Sequence, residues 1–368
     1  MDILAQVRIG IIGTGVGLRT LFPAFKMISN AKVVALCGSS LDKTRFFASE
    51  YDIPIACESY LELCMRNDID LVCVASPNLF HFEHTKVALD NKKHVLCEKP
   101  FTLKRTDMEY LITKRKEIGV LGLINHQLRF NPYMVKIKEF LQSGLIGVPY
   151  FVRIHQQSTV FSGNDVNWSW SFDADQGGGI RYAMYSHFVD LLNFWFNSNY
   201  YNLNASLNPV YMEKINANGK KQSILASIFC KVSLELNDGL SVLLSATAGA
   251  CSYPRFDVSI YGERGEIHFD LSRKLTIYTA DQKGKKKKVL LSDVYDDEKE
   301  NKVSIFSGSF RYFAPQIIRA VIEGNLSHMK HTSKFEDARY TFDFLEAIKE
   351  SSNNGILINP RKSEAEYV

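Results

Sequence analysis

Short apolar runs alternate with amphipathic stretches over the first third of the chain. Residues 7–12 and 69–75 are clear runs of this kind, and each is followed by a segment whose apolar side chains recur at helical spacing. Strands that alternate with helices form parallel, doubly wound sheets, so residues 1–127 are predicted to be one α/β domain. The predicted strands are 7–12, 33–37, 69–75, 94–97 and 120–124, and the predicted helices are 18–25, 42–51, 82–91 and 106–118.

The pattern changes after residue 127. Long strand-like runs follow, separated by turn signals such as Asn237-Asp238-Gly239, and their short links favour antiparallel pairing. Residues 128–368 are therefore predicted to be an α+β domain with a broad, mainly antiparallel sheet. The predicted strands are 148–157, 224–236, 240–248, 257–261, 266–270 and 274–278, and the predicted helices are 132–143, 310–323 and 335–351.

The composition agrees with two globular domains. The chain has 368 residues, of which 46% are hydrophobic and 23% charged, and this length exceeds one ordinary hydrophobic core. Much of the net charge of +4 comes from the lysine run 285–288, which we interpret as a solvated hairpin tip. A nucleic-acid surface requires more basic residues, interleaved with aromatic ones, so no nucleic-acid partner is expected.

The seven cysteines suggest a reduced compartment. Their number is odd, and neither a CxxC pair nor a histidine-rich spacing indicates a metal site. The N-terminus lacks the pattern of a signal peptide, and no apolar stretch approaches the length of a membrane span. We therefore expect a cytoplasmic protein without a metal ion or a membrane partner.

A glycine-rich turn follows the first predicted strand, at Gly13-Thr14-Gly15-Val16-Gly17. Between a strand and a helix, closely spaced glycines let the backbone approach a pyrophosphate, and the helix N-terminus offers free N–H groups. The spacing departs from GxGxxG because Leu18 occupies the third position. A plain strand–helix turn is the alternative, but the surrounding βαβ pattern favours a dinucleotide site.

The second strand ends in Gly38-Ser39-Ser40 instead of the acidic residue that usually holds the ribose hydroxyls of NAD. Small hydroxyl side chains with Lys43 and Arg45 nearby accommodate a 2′-phosphate. NADP is therefore predicted over NAD, with two solvent-facing helix residues as the alternative reading of Lys43 and Arg45.

A lysine and a glutamate stand where the strand 94–97 becomes a turn, in Cys97-Glu98-Lys99-Pro100. Proline lacks a backbone N–H and has a fixed φ, so the strand is predicted to end here. Ligands of open α/β sheets bind at such strand ends, which makes Lys99 a candidate to reach across a bound cofactor.

These residues resemble the Gfo/Idh/MocA oxidoreductases, a family acting on sugars and cyclitols, and the similarity covers nearly the whole chain. The resemblance implies a Rossmann domain, then an α/β domain whose open sheet often mediates assembly, so a homo-oligomer (dimer or tetramer) is expected. The motifs that carry it are the glycine-rich turn, Ser76-Pro77-Asn78 with His81, HVLCEKP at 94–100, HQLRFNP at 126–132, GLIG at 144–147, Trp168-Ser169-Trp170, GGG at 177–179 with His187 and Asp190, and YGERGEI at 261–267.

The resemblance implies two catalytic residues. Lys99 corresponds to the active-site lysine, and an ammonium group there stabilises negative charge on the reacting oxygen. His187 corresponds to the acid/base, although Ala183 replaces the aspartate that many members carry four residues earlier. A core histidine on an apolar helix face is the alternative reading of His187.

The remaining candidates are cofactor and substrate contacts. Glu98 points away from Lys99 along a strand, so we expect it to contact the cofactor or the backbone. Arg129 and Tyr182 are candidate substrate contacts. Trp168 and Trp170 either stack on a sugar ring or a nicotinamide, or pack between the two domains. The predicted cofactor residues are Gly13, Thr14, Gly15, Val16, Gly17, Ser39, Ser40, Lys43, Pro77, Asn78, His81, Glu98, Lys99 and Gln127.

Together the sequence predicts an NAD(P)-dependent oxidoreductase acting on a secondary alcohol or ketone of a sugar, cyclitol or related polyol. Two alternatives remain within the resemblance. One is a glycoside-cleaving enzyme that uses its cofactor transiently. The other is a non-catalytic regulator that binds a dinucleotide or a sugar, a reading to which Ala183 contributes.

Overall fold

The computed structural model describes residues 6–162, 167–208, 213–216, 218–272, 274–279, 286–289 and 304–359. The chain divides into two compact units. The first comprises Met1–Asn131 with Asp297–Arg339, and the second comprises Pro132–Asp296 with Tyr340–Val368.

A six-stranded parallel sheet forms the centre of the first unit, in the order β3-β2-β1-β4-β5-β6. The order reverses between β1 and β4, which is the position where open α/β sheets bind ligands. The predicted doubly wound domain is confirmed. The strands are β1 (Val7–Ile12), β2 (Ala31–Cys37), β3 (Ile55–Cys57), β4 (Leu71–Val74), β5 (His94–Cys97) and β6 (Gly122–Ile124).

The second unit contains an eight-stranded mixed sheet in the order β16-β15-β14-β13-β7-β12-β11-β8. Strands β7 and β12 pair in parallel and the other neighbours are antiparallel, which confirms the mainly antiparallel prediction. Strands β9 and β10 form a separate ribbon. The strands are β7 (Pro149–Gln157), β8 (Tyr200–Asn208), β9 (Glu213–Ile215), β10 (Lys221–Ser223), β11 (Phe229–Leu236), β12 (Leu240–Thr247), β13 (Arg255–Gly262), β14 (Gly265–Asp270), β15 (Lys274–Thr279) and β16 (Lys286–Val289).

The helices pack against these sheets. Two of them begin with a π-helical turn, Gly17–Leu21 before α1 and Arg181–Tyr185 before α7. The helices are α1 (Phe22–Lys26), α2 (Leu41–Glu50), α3 (Tyr60–Met65), α4 (His81–Asp90), α5 (Arg105–Ile118), α6 (Pro132–Gln142), α7 (Ser186–Phe196), α8 (Ile305–Glu323) and α9 (Ala338–Asn354).

Helix α8 belongs to the first unit, although it follows most of the second unit in sequence. Its Phe310 packs edge-on against Phe25 with ring centroids 5.4 Å apart, and its Phe313 stacks on Phe130 at 4.0 Å. All four rings are buried in one apolar cluster with β1. A single boundary after residue 127 therefore leaves out α8, whose apolar face is buried in the first unit.

The described lysines of the run 285–288 lie within a strand and not, as the sequence predicts, at the tip of a hairpin. Lys286, Lys287 and Lys288 belong to β16, which pairs with β15 at the edge of the large sheet. Lys285 lies outside the described residues. Lysines on an edge strand oppose pairing with a strand from another molecule, because burying their charges against it is unfavourable.

The described residues contain no helix that is long and apolar enough to cross a membrane. They also contain no group of three or more histidine, cysteine or acidic residues arranged to hold a metal ion. All seven cysteines are free thiols, and every one except Cys251 is buried. Burial raises the pKa of Cys37 to about 11, so this thiol is protonated and unreactive near neutral pH.

We predict that Tyr185→Phe destabilises the second unit. The Tyr185 hydroxyl is fully buried and donates to the carbonyl oxygen of Cys230 at 2.6 Å, which anchors the chain before α7 to β11. Its removal leaves that carbonyl short of a partner, at a cost of about 1–2 kcal/mol. A lower urea midpoint, with no change for the exposed Tyr201→Phe, is the expected result. Equal midpoints for the two variants contradict the anchoring role.

Candidate active site

Five strand ends of the first unit, those of β1, β2, β4, β5 and β6, meet at one edge of the sheet. Beyond the last strand residues, backbone hydrogen bonds of 2.8 Å join Gly13 to Cys37, Ala75 to Ile12, Glu98 to Val74 and Asn125 to Cys97. These bonds continue the parallel pairing past the strand ends, so the first residues of the loops lie side by side. The glycine-rich turn and the segments at 75–78, 98–100 and 125–127 therefore share this carboxyl edge, as the sequence predicts for a dinucleotide site.

The glycine-rich turn approaches the end of β4 closely. Gly13 has φ +115°, and a Cβ atom there would lie 2.2 Å from the carbonyl oxygen of Ala75. At Gly17 a Cβ atom would lie 2.6 Å from Ile11 Cγ2, so Gly17 allows the helix–strand contact that the third glycine of GxGxxG usually provides. Gly15 is exposed, with no atom nearer than 3.9 Å to a Cβ position. A methyl group at Gly15 would therefore make no close contact with the protein. Thr14 and Val16 flank this glycine.

The end of β2 lies beside this turn. A Cβ atom at Gly38 would lie 3.0 Å from Thr14 Cγ2, and the Gly38 N–H donates to Thr44 Oγ1 at 2.9 Å. Ser40 caps α2 by accepting from the Lys43 N–H at 3.5 Å. Ser39, Ser40 and Lys43 are all exposed, which leaves their polar groups accessible to a ligand.

His81 connects the loops that follow β4 and β5. Its Nδ1 lies 2.8 Å from the Pro100 carbonyl oxygen and its Nε2 lies 2.9 Å from that of Ser76. The ring is fully buried, and burial, with a smaller contribution from Lys99, lowers its pKa. The predicted cofactor residue His81 is thus a link within the protein, and it fixes the loop that carries Pro77 and the buried Asn78.

Glu98 and Lys99 are consecutive residues of opposite charge directly after β5. Glu98 is buried and its Oε1 accepts a 2.6 Å hydrogen bond from Asn125 Nδ2. Burial raises the pKa of Glu98 against the opposing effects of Lys99 and Asn125. Burial also lowers the pKa of Lys99, while the Glu98 charge raises it. Each group therefore supports the charged form of the other.

Gln127 presents a buried oxygen at the end of β6. It begins the 3₁₀ turn Gln127–Phe130 and is 4% exposed, and its Oε1 has no hydrogen-bond partner among the described residues. A buried amide oxygen of this kind is costly unless a donor reaches it. A ligand with an N–H or O–H donor, such as a nicotinamide carboxamide, satisfies it, so the residues present fit a dinucleotide.

Arg129, a predicted substrate residue, is held inside the first unit. Its Nη1 donates to the Thr332 carbonyl oxygen at 2.7 Å and lies 3.3 Å from Asp337 Oδ2. The residue is 6% exposed. These contacts join the segment after β6 to the segment after α8.

His187 lies in the second unit, at the start of α7, and is 3% exposed. The glycines before it lie where the backbone passes close to other backbone segments. At Gly178 a Cβ atom would lie 2.5 Å from the Ser171 carbonyl oxygen, and Gly179 has φ +92°. The Ile180 N–H then donates to the Ser227 carbonyl oxygen at 2.8 Å. This crossing fixes the start of the helical segment that carries Ala183 and His187.

The other predicted substrate residues also lie in the second unit. Arg181 donates from Nη2 to the Tyr182 hydroxyl at 2.6 Å and forms an ion pair with Glu346 at 2.9 Å. Trp168 contacts the β9–β10 ribbon, where its Nε1 donates to the Ser223 carbonyl oxygen at 3.4 Å. Trp170 is partly exposed at the start of a 3₁₀ turn.

Two residues of the first-unit site are absent from the sequence prediction. Asn125 is fully buried against Glu98. His84 has Nδ1 2.9 Å from Ser76 Oγ, its ring lies 4.3 Å from that of Tyr60, and burial lowers its pKa to about 4. The helical spacing of His81 and His84, three residues apart, is the one sequence signal that places both rings on the same face.

Comparisons with known proteins agree with this arrangement. The myo-inositol 2-dehydrogenase of Thermotoga maritima is 26% identical over 280 residues, which are 76% of this chain and 79% of that protein. Levoglucosan dehydrogenase, in complex with NADH and L-sorbose, has the same fold, with a TM-score of 0.84 at 17% identity over 98% of this chain and 100% of that one. A super-repressor mutant of Gal80p from Saccharomyces cerevisiae also has this fold, with a TM-score of 0.80 at 17% identity over 96% and 98% of the two chains.

Two family models match the chain, the NAD-binding Rossmann fold of an oxidoreductase family over residues 7–126 and the C-terminal alpha/beta domain of the same family over residues 138–359. Together they cover both units, and their order is that of the two sheets. The glycine-rich turn and the family model therefore both indicate a nicotinamide cofactor. The chain belongs to the Gfo/Idh/MocA oxidoreductase family and is an NAD(P)-dependent dehydrogenase.

Proposed function

We propose that this dehydrogenase acts on a secondary alcohol or ketone of a sugar, a cyclitol or a related polyol. The position of Lys99 directly after β5 at the carboxyl edge of the sheet, in the same unit as the open turn at Gly15, is the observation that carries the proposal. The relatives named for myo-inositol and levoglucosan support the substrate class. A bound nicotinamide supplies or accepts the hydride.

Lys99 polarises the reacting oxygen. Its ammonium group donates a hydrogen bond to the substrate carbonyl during reduction and stabilises the alkoxide that forms during oxidation. Such stabilisation is stronger in a partly desolvated site than in water, because fewer water dipoles screen the charges. The burial that lowers the pKa of Lys99 also readies it for proton exchange.

His187 is proposed as the acid/base. An unperturbed imidazole titrates near neutral pH, so it can accept a proton from an alcohol and return it to an alkoxide. Ala183 offers no carboxylate to this histidine. The proposed proton step therefore takes place without a carboxylate at position 183.

The residues proposed to hold the cofactor surround the carboxyl edge. Gly15, with Thr14 and Val16, receives the pyrophosphate, and Gln127 Oε1 accepts from the nicotinamide carboxamide. Ser39, Ser40 and Lys43 are exposed where a ribose 2′-phosphate would bind, and no carboxylate ends β2. NADP(H) is therefore the proposed cofactor.

We also propose that the enzyme works in the cytoplasm as a homo-oligomer, a dimer or a tetramer. The free, mostly buried thiols support a reducing compartment. The broad open sheet of the second unit supports assembly, because buried and more exposed residues alternate along β11 and β12, which leaves one face of these strands accessible.

We predict that Lys99→Met lowers kcat/KM by about 10²–10³-fold, the usual effect of losing one donor to a developing oxyanion. The test measures nicotinamide absorbance with the best substrate from a panel of polyols and sugars. In the reduction direction the ammonium is the active form, so wild-type kcat/KM falls as the pH rises through the lowered pKa of Lys99, below 10.5. The exposed Lys104→Met is the control, and wild-type turnover in Lys99→Met contradicts the proposal.

The glycine-rich turn gives a paired prediction. Gly13→Ala forces its Cβ atom against backbone and should lower the thermal midpoint strongly, with a loss of about 2 kcal/mol or more. Gly15→Ala has room in the free protein and should keep its midpoint, while calorimetry shows cofactor affinity at least about tenfold lower because the methyl group occupies the pyrophosphate space. Unchanged cofactor affinity in Gly15→Ala places the pyrophosphate elsewhere.

For the choice of cofactor, we predict tighter binding of NADPH than of NADH in calorimetric titrations. Lys43→Met should weaken NADPH by about 3–10-fold and leave NADH unchanged, since one exposed phosphate contact is lost. Lys32→Met, at the opposite end of β2, is the matched control. Tighter binding of NADH by the wild type would reject the NADP preference.

A further inference from the structure

An open cavity of about 410 Å³ lies beside α8 in the first unit, and its lining is basic. Arg319 on the helix and Lys330 on the segment that follows it supply two positive charges, and two histidines add ring nitrogens. No carboxylate is among the described residues that line the cavity. The lining residues are Pro315, Gln316, Arg319, His328, Lys330 and His331.

The hydrogen bonds of His328 favour its charged form. Its Nε2 lies 3.1 Å from the carbonyl oxygen of Gln316, and its Nδ1 lies 3.0 Å from Glu323 Oε2. A carbonyl oxygen and a carboxylate oxygen only accept hydrogen bonds, so both contacts are satisfied when both ring nitrogens carry a proton. The ring thus adds positive charge to that of Arg319 and Lys330.

Glu323 balances part of this charge from outside the lining. Its Oε1 accepts from Arg319 Nε at 2.6 Å, which occupies one edge of the guanidinium group. Among the described residues, the terminal nitrogens of Arg319 and the ammonium group of Lys330 have no ion-pair partner. One carboxylate therefore stands against three cationic groups, and the cavity has an excess of positive charge.

The segment that carries Lys330 is held on both sides. Met329, before it, is 6% exposed and belongs to the apolar cluster of the first unit. Thr332, after it, accepts a 2.7 Å hydrogen bond from Arg129 Nη1 through its carbonyl oxygen. The backbone at Lys330 is therefore in place before a ligand binds, which reduces the entropy lost on binding.

This cavity is separate from the glycine-rich turn. Helix α8 is closest to the helix after that turn at its own start, where Ser307 Oγ lies 3.0 Å from Thr20 Oγ1. Arg319 lies about 18 Å further along the helix axis, at 1.5 Å per residue. A small ligand in the cavity therefore does not contact the residues proposed to receive the pyrophosphate.

We propose that this cavity binds a phosphate group, as inorganic phosphate or as part of a small polar molecule. Arginine donates paired N–H groups to phosphate oxygens, and lysine supplies a point charge beside them. Several cationic groups in one cavity attract a dianion more strongly than a single carboxylate. The volume lies in the usual range of small-molecule sites, about 300–1,000 Å³, so the remainder of a phosphorylated molecule also fits. This site goes beyond the proposed dehydrogenase reaction and does not depend on it.

The test titrates the cofactor-free protein with glycerol 3-phosphate at low ionic strength. Binding is followed through the ring signals of His328 in proton–nitrogen NMR spectra, with the assignment taken from His328→Asn. We expect these signals to shift, and Arg319→Met and Lys330→Met each to weaken binding by about 3–10-fold. Lys104→Met, before α5, is the control and should leave the affinity unchanged. All three substituted side chains are exposed, so the variants should fold.

Three further probes identify the group that binds. Glycerol lacks the phosphate and should cause no shift, and glycerate, which has a carboxylate instead, should bind more weakly. Inorganic phosphate that binds as tightly as the ester supports a site for the free ion, and tighter binding of the ester supports a site for a phosphorylated molecule. Glycerate that binds as tightly as glycerol 3-phosphate overturns the assignment to phosphate.

The variants also show where the phosphate binds. Unshifted His328 signals at high millimolar concentrations of both phosphate probes overturn the proposal. Wild-type affinity in both Arg319→Met and Lys330→Met overturns it as well. If binding is lost in Gly15→Ala and kept in these two variants, the phosphate binds at the glycine-rich turn and the cavity is not its site.

Discussion

The site of the first unit depends on the two contacts of one imidazole ring. His81 lies between the carbonyl oxygens of Ser76 and Pro100, and so joins the loop after β4 to the loop after β5. This bridge connects the two loops directly, in addition to the pairing of β4 with β5 behind them. The close approach of Gly13 to Ala75 depends on the same loop, because Ala75 directly precedes Ser76.

This geometry creates an electrostatic problem that the neighbouring residues solve. Placing Lys99 at a packed strand end lowers its pKa, because the ammonium loses water contacts. Burial of Glu98 disfavours its charge in the same way. The opposite charges of the two residues offset part of this effect, because each favours the charged form of the other.

The sequence predicts those features whose signal is local. Strand β5 begins and ends where the apolar run does, and the glycine-rich turn is visible because its spacing lies within five residues. The sequence does not predict β3, β9 or β10, because each has three residues and a strand that short shows no periodicity. It does not predict β8 either, because polar residues obscure the alternation of apolar positions along that strand. Features that depend on long-range packing are invisible to this approach. Helix α8 joins the first unit only through its contacts with Phe25 and Phe130, and Asn125 acquires its meaning only from the register of β5 and β6.

The glycines before His187 show why a motif and its chemistry must be assessed separately. Gly178 and Gly179 are required by the backbone atoms of residues 171, 173 and 227, and that requirement holds whether or not the protein is a catalyst. The motif is thus evidence for the fold of the second unit. Evidence for chemistry comes instead from groups whose arrangement costs stability, namely a buried glutamate, a desolvated lysine and buried amide oxygens. Glu98, Lys99, Asn125 and Gln127 lie together in the first unit, at the ends of β5 and β6, and these ends are where we propose that the chemistry takes place.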